Sequence, residues 1–263
     1  MSCGLRGPAF VVASACASAT HAIGLAFQMV RGGQAPVAVT GGAEACIAFG
    51  TMKGWEALRV LVPETCRPFS RDRKRLVIGE GAAVMVIESL EHAQKRSANI
   101  LCEIVGFGMS ADAGDLLSPD AGSMGRAIDV ALEYGGLEPS AIRYVNAHGT
   151  STAANDATET EALKRAFGAH AKNLATSSNK SMIGHALGAA GALKLVATLM
   201  SIREGLVPPT INYPGPIRPA ISSACRTRRV RYGSTRRCRM PSPSAGSMPC
   251  WRCGGSLSGR SES

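Results

Sequence analysis

Two windows of this 263-residue chain constrain its fold more than any other feature. Residues 11–30 contain no Lys, Arg, Asp or Glu, and residues 183–202 are apolar, with Gly184 and Gly188 at GxxxG spacing. Helices so free of charge belong either in a membrane or in a large core. Lys194 and His185 interrupt the second window, and a mid-span Lys costs about 3 kcal/mol on insertion scales. Both windows are rich in Gly, Ala and Ser, which insert weakly. Two buried helices in a sizeable core explain both windows, and no membrane span is expected. The chain is long enough to enclose that core as one large domain or two smaller ones.

Strand-like and helix-like runs alternate through most of the sequence. A helix is expected from Cys16 to about Arg31, where Gly32 and Gly33 stop it. Strands are expected at 35–42, 81–88, 100–110, 143–152 and 173–181, several of them running on into loops. Helices are expected at 51–61, 89–96, 123–136, 156–167 and 187–203. In the helix at 156–167, acids stand in the first turn and Lys164 and Arg165 in the last, which suits its dipole. This order predicts α/β layers, with a sheet covered on both faces.

The net charge of +10 suggests a nucleic-acid partner until its location is considered. Residues 1–217 hold 19 Lys and Arg against 18 Asp and Glu, whereas residues 218–263 hold 10 Arg and one acid, Glu262. The body is nearly neutral, and two Trp and four Tyr give few stacking platforms. No nucleic-acid partner is expected. From Ile221 onward neither apolar period is present, and Arg, Ser, Gly, Cys and Pro dominate. That composition fits a disordered tail, or translation of a GC-rich gene in the wrong frame, with no folded module.

Nine scattered cysteines do not form the even framework of a secreted disulfide scaffold. Cys250 and Cys253 make one CxxC pair, but no second pair or spaced His completes a zinc site. Cys16 stands apart, because VVASACASATHAIG surrounds it with small residues. Three readings fit that window: a buried small hydrophobe, a signal or lipoprotein segment, and a nucleophile at a helix start. Two further polar motifs, NAHGTST with His148 and NKSMIGHALGAAG with Lys180 and His185, also fall at element junctions. A thiol and two histidines, each among glycines that let a ligand approach, form a more specific constellation than any one of them.

These three motifs, together with GGAEA at 41–45, CRPFSRDR at 66–73, GEGAAV at 79–84 and NDATET at 155–160, resemble the β-ketoacyl-acyl-carrier-protein synthases of the elongating type. The resemblance runs over residues 5–219. It implies a thiolase-like α/β fold of αβαβα layers, incomplete here, and an acyltransferase that performs a decarboxylating Claisen condensation. Cys16 would carry the acyl chain as a thioester, as a thiolate favoured by the helix N-terminus. His148 and His185 would donate to the malonyl thioester oxygen. Lys180 would orient the histidines, Glu80 would hold the lysine, and Thr150 and Thr152 would support the site.

The same resemblance implies no cofactor or metal, and a cytoplasmic homodimer served by carrier protein bearing acyl and malonyl groups. It divides the chain into residues 1–90 with the nucleophile, 91–219 with both histidines, and the tail 220–263. The family has most of an α/β unit before its nucleophile and a glycine-rich closing loop. A truncated, frameshifted synthase with little activity alone is therefore expected. An inactive remnant or partner subunit, and a synthase of a specialised polyketide or nodulation-signal pathway, stand as alternatives. Missing neighbours would leave sheet edges and apolar surface exposed.

Overall fold

The computed structural model describes residues 4–114 and 118–217, with the backbone of three further segments at 230–231, 239–241 and 247–252. A 3-10 turn, Ala15–Ala17, leads into helix α1, Ser18–Arg31, whose end is closed by the Gly32 N–H donating to the Gln28 carbonyl. Strand β1, Val37–Glu44, follows, then α2, Phe49–Ala57, and β2, Gly81–Glu88. The chain continues through α3, Leu90–Lys95, β3, Glu103–Met109, and α4, Ala121–Tyr134. Asp120 caps α4 by accepting from the Ser123 N–H at 2.7 Å. Next come β4, Tyr144–Asn146, α5, Ala153–Phe167, β5, Ala175–Ser177, and a single turn, α6, Lys180–Ile183. Helix α7, Ala190–Glu204, and β6, Leu206–Val207, complete the body.

The alternation along β4 explains the layering. Val145 packs with Ile128, Leu132, Ile142, Leu163 and Leu174, under α4 and α5. Tyr144, one residue earlier and so on the opposite face, packs with Ala19, Ile23, Ala192 and Leu195 of α1 and α7. The parallel pair β4–β5, in register from Tyr144↔Ala175 to Asn146↔Ser177, is thus sandwiched between two helix pairs. Each fully buried Ile or Leu here contributes about 1.5–3 kcal/mol of transfer free energy. The window at 183–202 is a core helix, as expected, and no described helix is long and apolar enough to cross a membrane.

The helices α1 and α7 cross at contact distance. A Cβ at Gly191 would sit 2.2 Å from Thr20 Oγ1 and 2.7 Å from the Thr20 nitrogen, so only glycine fits. This crossing sets the separation between the start of α1 and the segment before α7.

Strands β1 and β2 pair antiparallel from Val37↔Glu88 to Glu44↔Gly81. The ribbon buries part of one face on α1 and α7, while Val39, Val84 and Val86 are more than half or about half exposed (50, 69 and 56%). Apolar side chains of this ribbon are thus exposed in the single chain.

The tail departs from its sequence reading in one respect. Three strands fall inside 220–263: β7, Val230–Arg231, β8, Arg239–Pro241, and β9, Ser247–Arg252. The backbone of β9 pairs antiparallel with β3 and with β8, and β7 pairs with β6. Ladder pairing uses main-chain N–H and C=O groups, and a free edge such as that of β3 accepts a strand with no side-chain period. The remainder of 220–263, Cys253 included, lies outside the described residues.

Candidate active site

The site lies just past the C-terminal ends of β4 and β5, where an α/β sheet leaves a crevice. His148 follows β4 by two residues, and Lys180 follows β5 by three. Between them Gly149 takes φ +41°, and a Cβ there would meet Ser178 Cβ at 2.5 Å. The two strand exits touch through that glycine.

His185 is fixed by main chain on both sides. Its N–H donates to the Val77 carbonyl at 2.8 Å, and its own carbonyl accepts from the Gly79 N–H at 3.0 Å. The glycine-rich segment before β2 therefore acts as a rail for the histidine. Cys16 arrives from the other direction, in the turn ahead of α1, and its Sγ stands 3.0 Å from His185 Nε2. The rings of His148 and His185 meet edge to face, with centroids 5.3 Å apart. One ligand atom from each of Cys16, His148 and His185 falls within 4.8 Å of the others. All three residues, scattered in the sequence, converge.

Electrostatics then define their states. Burial drives both imidazoles well below the usual histidine range, and the positive charges of Lys180 and Lys194 push the same way. Both rings are neutral. Their Nδ1 atoms are buried without a hydrogen-bond partner. A buried orphan N–H is rarer than an under-satisfied acceptor, so the proton belongs on Nε2, which in His185 faces the sulfur. The Cys16 thiol is pushed up by burial, and by Glu44 to a smaller degree, with Lys180 pulling it back. This corrects the expectation of a thiolate poised by the helix terminus, because desolvation outweighs the positive end of the turn.

Lys180 is buried, 2% exposed, and its Nζ donates to the His148 carbonyl at 2.5 Å. Burial lowers its pKa, and the acid that most opposes this is Glu159. Glu80 does not hold it: that residue is exposed, and its carboxylate accepts from the Ile47 N–H at 2.7 Å. Glu159, wholly buried, instead takes the N–H of His148 at 2.6 Å and of Gly149 at 2.8 Å, which locks the loop that carries the histidine. Thr150 Oγ1 and Thr152 Oγ1 stand 2.9 Å apart, and Thr152 caps α5 by accepting from the Asn155 N–H. Both stabilise the loop beyond His148.

Two residues escaped the sequence reading. Glu159 sits among the buried positions of α5, and an acid on an apolar helix face was its signal. Lys194, 2% exposed on α7, is a second buried lysine: burial pushes its pKa well below the usual lysine range, Lys180 pushes the same way and Glu159 opposes it. A buried Glu–Lys set spans the helices around the histidines.

The Cys16–His148–His185 cluster is the place where the described residues could gather a metal ion. Metal-bound histidines ordinarily donate their second ring nitrogen to an outer partner. Both Nδ1 atoms here lack one, and Lys180 adds repulsion. The cluster is built for thiol–imidazole chemistry.

Known proteins resemble this chain over most of its length. The model of the β-ketoacyl synthase N-terminal domain matches residues 1–93, and that of the C-terminal domain matches residues 101–214. Nodulation protein E of Rhizobium sp. (strain N33) is 54% identical over 216 residues, which cover 82% of this chain and 54% of that protein. The 3-oxoacyl-[acyl-carrier-protein] synthase 2 of Synechocystis sp. is 45% identical over 221 residues, covering 81% of this chain and 53% of the relative. The chain spans about half the length of the curated relatives it matches.

Among solved structures, a β-ketoacyl synthase from Burkholderia phymatum STM815 superposes with TM-score 0.86 at 35% identity, covering 93% of this chain and 61% of that one. A ketosynthase of a type II polyketide system, solved with its acyl-carrier protein, gives TM-score 0.85 at 32% identity, covering 92% and 62% of the two chains. With both domain models in order along it and ketosynthases as its structural neighbours, the chain belongs to the β-ketoacyl synthase family and carries its thiolase-like fold.

Proposed function

We propose that the chain carries the condensing centre of a β-ketoacyl-[acyl-carrier-protein] synthase. The observation that supports it most is the convergence of one thiol and two neutral imidazoles, with Cys16 Sγ 3.0 Å from His185 Nε2. In the first half-reaction the Cys16 sulfur attacks an acyl thioester of carrier protein. A C–S bond to Cys16 forms, the carrier thiol leaves, and the Cys16 proton passes to it. In the second, malonyl-carrier protein loses carbon dioxide, and the electron pair remains as an enolate. The enolate carbon attacks the Cys16 thioester, and the sulfur leaves as thiolate and regains a proton.

His148 and His185 donate from Nε2 to the malonyl thioester oxygen, where charge appears only as carbon dioxide leaves. A neutral imidazole suits this role, since its N–H donates a hydrogen bond and gives up its proton far less readily than an imidazolium would. Lys180 and Glu159 hold the His148 loop from its carbonyl and N–H sides. The reading carries with it a cytoplasmic homodimer, halves divided near residue 90, and acyl- and malonyl-carrier protein as partners. A specialised acyl chain, as an alternative to ordinary fatty-acid elongation, is favoured by the higher identity to nodulation protein E (54 against 45%).

Incubation with acyl-carrier protein, followed by site-resolved mass spectrometry, tests the assignment. One acyl group on Cys16, absent from Cys16→Ala and discharged as a β-ketoacyl product by malonyl-carrier protein, is the expected result. A chain that acquires no acyl group, or acquires it at another residue, would overturn it.

A further inference from the structure

The turn that presents Cys16 is strained. Ala15 takes φ +49°, a region that costs a side-chain-bearing residue on the order of 1–3 kcal/mol and persists only where its surroundings over-determine it. Three polar side chains supply that determination. The Ser14 N–H donates to Ser18 Oγ at 2.8 Å, and the Ser18 hydroxyl donates to the Ala15 carbonyl at 2.7 Å. The Ala17 N–H closes the turn on the Ser14 carbonyl at 3.1 Å. Ser14 Oγ lies 2.6 Å from His21 Nδ1, one turn into α1.

His21 is braced from behind. Its ring stands edge to face against Phe107 of β3, with centroids 6.2 Å apart at 87°, and Phe107 is 3% exposed. A path of contacts therefore runs from the sheet, through Phe107 and His21, to Ser14 and the backbone on either side of the sulfur. The condensation chemistry uses none of these side chains.

We propose that His21 is a positioning residue: through its Nδ1 contact with Ser14 it locks the strained Ala15 turn and so sets where the Cys16 sulfur stands against His185. This rests on Cys16 being the reactive thiol, and it makes a demand on one ring atom. Asparagine places its amide where Nδ1 stands, whereas glutamine places its amide nearer Nε2. His21→Asn should preserve the lock, and His21→Gln and His21→Ala should release it.

The test is the rate of iodoacetamide alkylation of the full chain, resolved at each cysteine by mass spectrometry. Because burial shields the Cys16 thiol and pushes its pKa up, release of the turn should raise alkylation at Cys16 in the Gln and Ala variants by about tenfold, the effect of one pKa unit. His21→Asn should stay close to the parent rate. Ser14→Ala should follow the Gln variant and Ser14→Thr the parent, so the test survives if a His21 variant fails to fold. An unchanged Cys16 rate in the folded Gln, Ala and Ser14→Ala variants would overturn the proposal. So would an equal rise in Asn and Gln accompanied by faster labelling of buried Cys46 and Cys66, the mark of general loosening. Alkylation needs no carrier protein: if condensation is absent but this ordering holds, the functional reading fails and the positioning role stands.

Discussion

The sulfur of Cys16 and Nε2 of His185 are 3.0 Å apart in space and 169 residues apart in sequence. Two local facts produce that closeness. The α1–α7 crossing at Thr20 and Gly191 brings the start of one helix to the segment before the other. The main-chain rail of Val77 and Gly79 then fixes the histidine backbone at the meeting point.

Removing the His185 ring should separate binding from chemistry. On the proposed reading His185→Ala takes away one donor to the developing enolate, a loss of about 2.7–4 kcal/mol or 10²–10³-fold in rate. Condensation should fall by that factor while Cys16 still accepts an acyl group, measured separately with acyl-carrier protein. A condensation rate within tenfold of the parent would show that the imidazole is no oxyanion donor.

Filling the helix crossing should disturb the site from a distance. In Gly191→Ala the new methyl overlaps Thr20 at 2.2 Å, so the helices must part. Overpacking of this kind costs about 1–3 kcal/mol, readable as a lower urea midpoint. Cys16 alkylation should quicken as well, because α1 draws the sulfur out of the buried place that raises its pKa. Unchanged stability and reactivity would mean that the crossing is looser than described here.

Glu159→Gln should unfold the chain more easily than most single changes. The carboxylate takes the N–H groups of both His148 and Gly149 and offsets the charge of Lys180 and Lys194. An amide presents one oxygen where the carboxylate has two, and it removes the acid that most favours the charged form of Lys180. Breaking a buried charge pair costs about 3–5 kcal/mol, which equilibrium denaturation would register. A loss below about 1 kcal/mol, the scale of an exposed pair, would deny the glutamate that role.

Asp156 gives the fold a pH dependence. Burial raises its carboxyl from 3.8 to about 7, against the Phe69 N–H, the Asn155 amide and Arg73, which favour the anion, and with Glu159, which opposes it. The folded state therefore holds a proton that the unfolded state has lost between those values. The resulting stability is complete below pH 3.8 and is lost as pH rises to about 7, with a slope of up to about 1.4 kcal/mol per pH unit. Denaturation midpoints should decline from pH 5 to pH 7, and Asp156→Asn should flatten the decline. Parallel profiles for the two proteins would assign the slope to other groups, Glu159 first among them.

Much of the architecture was legible in the residues. The two apolar windows became α1 and α7, because helices with so few charged positions are held in the core. The acids and bases at the two ends of α5 marked its polarity, and Gly32 marked the end of α1. Motif resemblance singled out Cys16, His148, Lys180 and His185, which the fold brings together. Other features were out of reach. Glu80 looked like the partner of Lys180, yet Glu159, from another motif, faces it. The strands within the tail left no side-chain period to read.

What the sequence determined by itself was the order of elements and the burial of two helices, since periodicity is local, and motif resemblance marked the candidate reactive groups. Only the tertiary structure decided which acid meets which lysine, that the thiol is held protonated by burial, and that Ser14 and His21 brace its turn. Those properties depend on desolvation and on distances between segments far apart in the chain, and neither is encoded in any one stretch of residues.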